Sequence, residues 1–260
     1  MKRVVVISDL HCGHRVGLTP PSYLRTDWKE TELEPFYIMQ KELWKFYKAT
    51  LKKLQPINIL IVNGDAIDGS GEKSGGSEQL CDVTSQTIMA MEAIDEAKAK
   101  KIVMLHGTPY HTGVKADFEN MICHDVKGTI SGREFLNING TVMDCRHFIS
   151  GSIVPWGQAT SIKREKTLND LWSIEEGQEQ PRADILIRSH VHYHQFAGNH
   201  NYLAMTTPGL QGFGSKFGTK ICSGIIHIGM VHFDIDEKGG YSWQSHLLKG
   251  EFLKAPIRNL

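Results

Sequence analysis

Three times in its first 105 residues, this chain places a short run of buried-type residues beside a longer stretch of helical periodicity. Residues 4–7, 57–62 and 101–105 are apolar and largely β-branched, too short for helices, and bounded by polar or turn-forming residues. Between the first two runs, Phe36, Met39, Leu43, Phe46, Tyr47, Leu51 and Leu54 recur at helical spacing, with Lys and Glu on the opposite face and Pro56 as the stop. Between the last two, Val83, Thr87, Met91, Ile94 and Ala97 predict a helix over 83–100, and Lys98, Lys100 and Lys101 suit its C-terminal dipole. Strand, helix, strand, helix, strand predicts a layered α/β core built on at least partly parallel strands.

Beyond residue 105 the pattern changes. A helix is expected over 116–126. Residues 134–138 and 141–147 flank Asn139-Gly140, the strongest short hairpin signal. A helix over 159–176 carries the cluster Lys163-Arg164-Glu165-Lys166, expected to be a solvated face. Strands are expected over 184–189, 195–197 and 202–206. A closing hairpin, 222–235 with 241–248, turns at Lys238-Gly239-Gly240. Residues 13–35 hold Gly and Pro breakers and are too long for a plain connection, so they are expected to frame an active site, with His14 and Arg15 as ordinary solvated residues or as groups reaching an anionic ligand. The Gly/Ser-rich stretch 70–77 is expected to be mobile. No linker divides the chain, so a single domain over 1–260 is expected.

Several apolar runs end in residues able to bind metal. The first stops at Asp9-Leu10-His11, and in an extended segment residues i and i+2 share a side, so this pair is predicted to face one ion together. The second stops at Gly64-Asp65-Ala66-Ile67-Asp68, the third at the segment from His106 to His111. His147 follows the hairpin, and His190-Val191-His192 follows the strand over 184–189. Five such endings are best explained by a dinuclear site, because two close cations need several N and O ligands from converging strand ends.

Bulk composition excludes other classes. Lys plus Arg and Asp plus Glu are equal at 29 each, so no global charge draws the chain to nucleic acid or membrane, although a local basic groove is compatible with neutrality. The 5 Cys are scattered without a C-x-x-C pair, which argues against a disulfide framework or a zinc knuckle and fits a reducing cytosol. No apolar run reaches membrane-spanning length, and Asp9 and His11 interrupt the N-terminal apolar run before it could act as a signal peptide. A cytoplasmic protein with no membrane partner is expected. Sequence says nothing of its oligomeric state.

Taken in order, these blocks resemble the calcineurin-like metallophosphoesterase family, whose pattern is D-x-H, G-D-x-x-D, G-N-H-[DE], a lone His after a strand, and G-H-x-H. The resemblance runs from residue 4 to about residue 192 and implies a four-layer αββα sandwich with mixed sheets. It implies that Asp9, His11 and His192 hold one metal, that Asp65 bridges, and that His147 and His190 hold the second. It implies that Asp68 orients a ligand or a catalytic imidazole, against the plain alternative of a helix N-cap. Two divalent transition-metal ions follow, with Mn favoured and Fe, Zn or Ni also suited to mixed His/Asp ligation. The implied reaction is hydrolysis of a phosphate ester by metal-activated water.

The chain departs from the family in three places. After Gly107 come Thr108-Pro109-Tyr110-His111, so Thr108 takes the position of the Asn ligand and His111 that of the catalytic His, with His106 as the alternative. This variant is similar to versions found in phage and prophage proteins. Gly69-Ser70 stands where many protein phosphatases of the family carry the Arg that clamps phosphate. Ser189 replaces the Gly of the last block, an exchange expected to be tolerated. With the D-L-H-x-G opening, which is similar to phosphodiesterase and nuclease branches, these features favour a phosphodiester, from a nucleotide or nucleic acid, over a phosphomonoester or phosphoprotein. A non-catalytic scaffold of the same fold is the rival from another class. Lys216 and Lys220 lie in a Gly-rich loop without a P-loop ending. His124, His194, His200, His227, His232 and His246 have no place in the pattern.

Overall fold

The computed structural model describes residues 1–70, 78–112, 117–152, 154–177, 179–214 and 225–253. The expectations for 71–77, Lys216, Lys220 and Cys222 fall outside the described residues.

The chain opens with β1 (Lys2–Ile7), α1 (Glu34–Leu54), β2 (Ile59–Asn63), α2 (Val83–Asp95) and β3 (Lys101–Leu105). It continues through α3 (Pro109–Thr112), α4 (Phe118–Asp125), β4 (Thr129–Ser131), β5 (Glu134–Ile138), β6 (Thr141–Cys145) and α5 (Gln158–Trp172). It closes with β7 (Ile185–Arg188), β8 (Gln195–Asn199), β9 (Tyr202–Thr206), β10 (Gly229–Ile235) and β11 (Tyr241–Leu247). A six-stranded sheet has the order β11-β10-β1-β2-β3-β4, and a five-stranded sheet the order β5-β6-β7-β9-β8. β1, β2, β3 and β4 run parallel, as do β6, β7 and β9, while β10 and β8 pair antiparallel, so both sheets are mixed.

Alternation along the strands fixes the layers. Val5 and Ile7 face α1, α2 and α4 in a core with Leu43, Tyr47, Ala90 and Ile122, whereas Val4 and Val6 face the other sheet in a core with Met143, Ile185, Met205 and Phe233. Ile162 of α5 packs with Ile149, Leu186 and Ala204 on the outer face of the second sheet. Helices, sheet, sheet, helix is the four-layer αββα sandwich expected. Burying each such side chain contributes roughly 1.5–3 kcal/mol, and the Tyr47 hydroxyl donates to Ala93 O at 2.6 Å, joining α1 to α2.

The Asn139-Gly140 hairpin forms as expected, with positive φ at both residues (53° and 97°), the backbone a two-residue turn requires. The structure corrects three other expectations. α2 stops at Asp95 instead of 100, because Lys98 takes a positive φ of 46° and Lys100 and Lys101 donate to Ile57 O and Asn58 O beside β2. The 163–166 cluster is only half solvated: Lys166 is buried, donating to Ala183 O and Asp170, and Glu165 pairs with Arg146. His14 is buried and neither solvated nor open to a ligand. Its Nδ1 accepts from Val16 N and its Nε2 faces Glu78, while Arg15 pairs with Glu78 at 2.6 Å and stacks on Phe36.

A buried ionic network braces the second sheet. Arg188 and Asp144 are both fully buried and lie 2.7 Å apart, and Arg133 adds two bonds of 2.8 Å to the same carboxylate. Asp144→Ala is expected to destabilise the fold by about 3–5 kcal/mol, because it leaves Arg188 charged and buried. Urea denaturation checks this, and a loss below about 1 kcal/mol would contradict it.

Candidate metal centre

The strand ends of the two sheets converge at one edge of the sandwich. β1 ends at Ile7, and the next residues run alongside the end of β2: Asp9 N donates to Gly64 O, His11 N to Asp65 O and Cys12 N to Ala66 O, each at 3.0–3.1 Å. Asp9 and His11 were expected from sequence to share a side through an extended backbone, and the structure corrects this. Both are in the left-handed region, at φ 51° and 43°, and so are Asp65 (52°), His190 (71°) and His192 (54°). Non-glycine residues rarely adopt this conformation, and five of them clustered here must be held in place by the surrounding structure.

Two sets of ligand atoms result. Asp9, His11 and His192 form one, Asp65, His147 and His190 the other, and within each the ligand atoms lie within 4.8 Å of one another. His11, Asp65 and His111 form a third set that joins the two. His192 Nε2 lies 3.3 Å from Asp9 Oδ1, and His147 Nε2 and His190 Nδ1 lie 3.0 and 4.0 Å from Asp65 Oδ2. The Thr108 hydroxyl sits within the second set, 3.1 Å from Asp65 Oδ2 and 3.3 Å from both His147 Nε2 and His190 Nδ1, while Thr108 N donates to Asp65 Oδ1 at 2.6 Å. Glycines admit this crowding: a Cβ at Gly107 would strike Asp65, and one at Gly64 would strike the His147 ring.

Asp68 is buried, with Oδ1 3.3 Å from His11 Nδ1 and 3.6 Å from His111 Nδ1. Gly69, which follows it, takes a positive φ of 78°, outside the helical region, so Asp68 is not a helix N-cap. His111 Nδ1 donates to Asp68 O at 2.9 Å, which leaves Nε2 as the ring's other nitrogen toward the site. His106 is 32% exposed and faces Asp117 and Glu119 instead, outside all three sets.

The donor set has the character of a cation site. Both oxygens of Asp9, which is fully buried, and both nitrogens of His11 make no hydrogen bond among the described residues. Burying a carboxylate with no hydrogen bond, only the His192 ring facing it at 3.3 Å, is costly, and an ion between these atoms would remove that cost. Burial, reinforced by the nearby His111, pushes His11 down to about 4, so its imidazole is neutral and ready to ligate. Burial also opposes charge on His147, but the Asp65 carboxylate outweighs it and holds His147 up at about 10. Burial raises Asp9 and Asp65, yet the facing histidines hold both below the usual carboxylate range. These residues fit divalent transition metals.

Sequence reasoning missed several participants. Glu119 of α4 is buried and accepts from Ala66 N at 3.0 Å and Gly107 N at 2.8 Å, so one carboxylate ties together the loops carrying Asp65 and Thr108. Burial pushes Glu119 up to about 7. Tyr110 lies in the field of Asp65, Asp9 and Asp68. Phe148, 52% exposed, sets its ring 5.0 Å from that of His190. An isolated Glu on a helix carries no motif; the Phe next to His147 was the one signal available.

No family model and no curated protein matches this chain. Among solved structures, a Vps29 single mutant from Entamoeba histolytica aligns at 13% identity over 95% of this chain and 99% of that one, with a TM-score of 0.47. The wild-type Vps29 complexed with zinc from the same organism aligns at 13% identity, 94% and 98% coverage and a TM-score of 0.44. A novel archaeal phosphodiesterase gives 12% identity, 94% and 99% coverage and a TM-score of 0.45. Similarity at this level assigns no activity, so function rests on this chain's own residues. No helix among the described residues is long and apolar enough to cross a membrane.

Proposed function

We propose that this protein is a dinuclear-metal phosphoesterase of the calcineurin-like type. Asp9, His11 and His192 would hold one divalent ion, and Asp65, His147, His190 and Thr108 the other, with Asp65 shared. The observation that carries this reading is the pair of buried His/Asp sets meeting at Asp65, one containing a carboxylate and an imidazole with no hydrogen bonds of their own. A scaffold has no use for buried groups left without a hydrogen bond.

When bound, two such ions would supply an activated water and neutralise the phosphoryl oxygens of the substrate. The chain supplies the rest. Asp65 is held in orientation by Thr108 N and the Thr108 hydroxyl. His111 is held by its bond to Asp68 O, with the Asp68 carboxylate 3.6 Å from Nδ1, and its Nε2 would donate a proton to the departing oxygen.

The favoured substrate is a phosphodiester from a nucleotide or nucleic acid. The position of the family's phosphate-clamping Arg lies beside a buried turn, where Gly69 N donates to Gln86 and Gly69 O accepts from Gln86 and Gln79, and no clamp follows at Ser70. Phe148 beside His190 offers an apolar face for a base or aryl group. With Mn(II), an aryl phosphodiester, an aryl phosphomonoester, cyclic nucleotides and DNA should be compared. Diester turnover should exceed monoester turnover by at least tenfold in kcat/KM, a preference of about 1.4 kcal/mol. Equal or reversed preference would contradict the diester reading, and no turnover with two bound ions would favour the scaffold.

Metal affinity should depend on pH with a definite sign. In the metal-free protein His147 carries a proton at neutral pH, because its folded value of about 10 lies above the ordinary 6.5. Ligation of an ion by His147 would require loss of that proton, so the affinity of the second site should rise by roughly tenfold per pH unit up to about pH 10. Mn(II) titrations at pH 6.5, 7.5 and 8.5 check this, and pH-independent binding would contradict it.

A further inference from the structure

We propose that Ser189 is a positioning residue, whose buried hydroxyl is the hub of a hydrogen-bonded chain that sets the spacing between the two halves of the metal site. This inference rests on the proposed function. Ser8 precedes Asp9, Asn63 stands two before Asp65, Ser189 precedes His190, and Thr207 stands two before Gly209. The free side of Gly209 meets Asp9 and His192. All four polar residues are 0% exposed.

Their side chains form one continuous series. Asn63 Nδ2 donates to Ser189 Oγ at 2.6 Å, the Ser189 and Thr207 hydroxyls are 2.7 Å apart, those of Thr207 and Ser8 are 2.8 Å apart, and Ser8 Oγ lies 3.3 Å from Pro208 O. One direction gives every hydroxyl hydrogen a place in the series: Ser189 Oγ accepts from Asn63 and donates to Thr207, Thr207 donates to Ser8, and Ser8 to Pro208 O, with Arg188 O, 3.3 Å from the Thr207 hydroxyl, as an alternative acceptor for Thr207. In that direction each hydroxyl accepts once and donates once, the arrangement in which each bond strengthens the next.

The series crosses between the sheets twice, from the end of β2 to the ends of β7 and β9 and back to the end of β1. Its first member is also tied to a candidate ligand. Asn63 O accepts from His147 Nδ1 at 2.7 Å, and Asn63 Nδ2 also donates to Arg146 O at 3.2 Å. At the far end, Leu210 N donates to Ser8 O and Asp9 O at 3.0 and 3.1 Å, so the loop carrying Thr207 is fastened to the residue that begins the first ligand set. One chain of hydroxyls therefore links His147 and His190 on one side to Asp9 on the other. Ser189 occupies the motif position where the family has Gly, and a glycine would break the series at its centre. The exchange is not a neutral replacement of one small residue by another.

Calorimetric Mn(II) titration of the full chain tests this, alongside the thermal midpoint of each metal-free protein. Ser189→Ala and the isosteric Thr207→Val should each weaken binding of at least one ion by about 10–100-fold, the range for loss of a group that orients a ligand. Thr207→Ser, which keeps the hydroxyl, should stay within about threefold of wild type, and Ser189→Ala combined with Thr207→Val should be no weaker than the worse single variant, because both break the same series. If Ser189→Ala fails to fold, the Thr207 pair alone decides. Wild-type affinities in Ser189→Ala or Thr207→Val, with only a lowered midpoint, would overturn the inference and leave the proposed function standing. Failure of the wild type itself to take up two ions would overturn the proposed function first, and the positioning role with it.

Discussion

Asp65→Asn is expected to abolish two-ion binding and to lower phosphodiester turnover by more than the roughly 10²–10³-fold that follows loss of one preorganised electrostatic group. Asp65 touches every part of the second set. Its Oδ1 accepts from Thr108 N, and its Oδ2 accepts from the Thr108 hydroxyl and faces His147 and His190. Asn cannot reproduce this. Its NH2 would have to face either the Thr108 N–H or the nitrogens of His147 and His190, and its amide oxygen carries no charge to bridge two cations that repel each other. Metal analysis of the dialysed variant beside the wild type checks the first half of the expectation, and aryl diester turnover the second. Retention of two ions by Asp65→Asn would remove the bridge from the account.

His111→Ala is expected to leave metal content unchanged and to lower kcat by about 10²–10⁴-fold. The size should depend on the leaving group. An alkyl leaving group needs the proton and should show the full loss, whereas a nitrophenolate, stable as an anion, should show little. The same dependence should follow, more weakly, from Asp68→Asn, because Asp68 Oδ1 lies 3.6 Å from His111 Nδ1 and acts through that ring. A loss that is equal for both leaving groups, or one accompanied by loss of metal, would place His111 among the ligands instead. The set that joins His11, Asp65 and His111 makes this a sharp choice.

The fold was legible where side-chain periodicity is strong. Residues 101–105 matched β3 to the residue, and Asn139-Gly140 gave the hairpin, because these signals are local. The site was legible as a set of residues but not as a geometry. Asp9-x-His11 and His190-x-His192 suggest i, i+2 alternation along a strand, yet four left-handed backbones bring these side chains together, and nothing in two-residue spacing encodes a positive φ held by contacts with a distant loop. His14 and Lys166 read as surface residues because their types are usually exposed, and their burial depends on partners far from their own segments: Glu78 for His14, and Ala183 O for Lys166. Glu119 and the Ser8, Asn63, Ser189 and Thr207 series were invisible for the same reason. Each acts through backbone groups or hydroxyls contributed by other strands, and hydroxyl and amide residues just after an apolar run are ordinary in any sequence.

Two ions sharing Asp65 are the central feature of the proposed site. Its most direct test is the electron paramagnetic resonance spectrum of the full chain loaded with Mn(II). Two ions per chain with the broadened signals of an exchange-coupled Mn(II) pair are expected, and that coupling should vanish in Asp65→Asn. An isolated six-line Mn(II) spectrum at full loading, or a single ion per chain, would contradict the account.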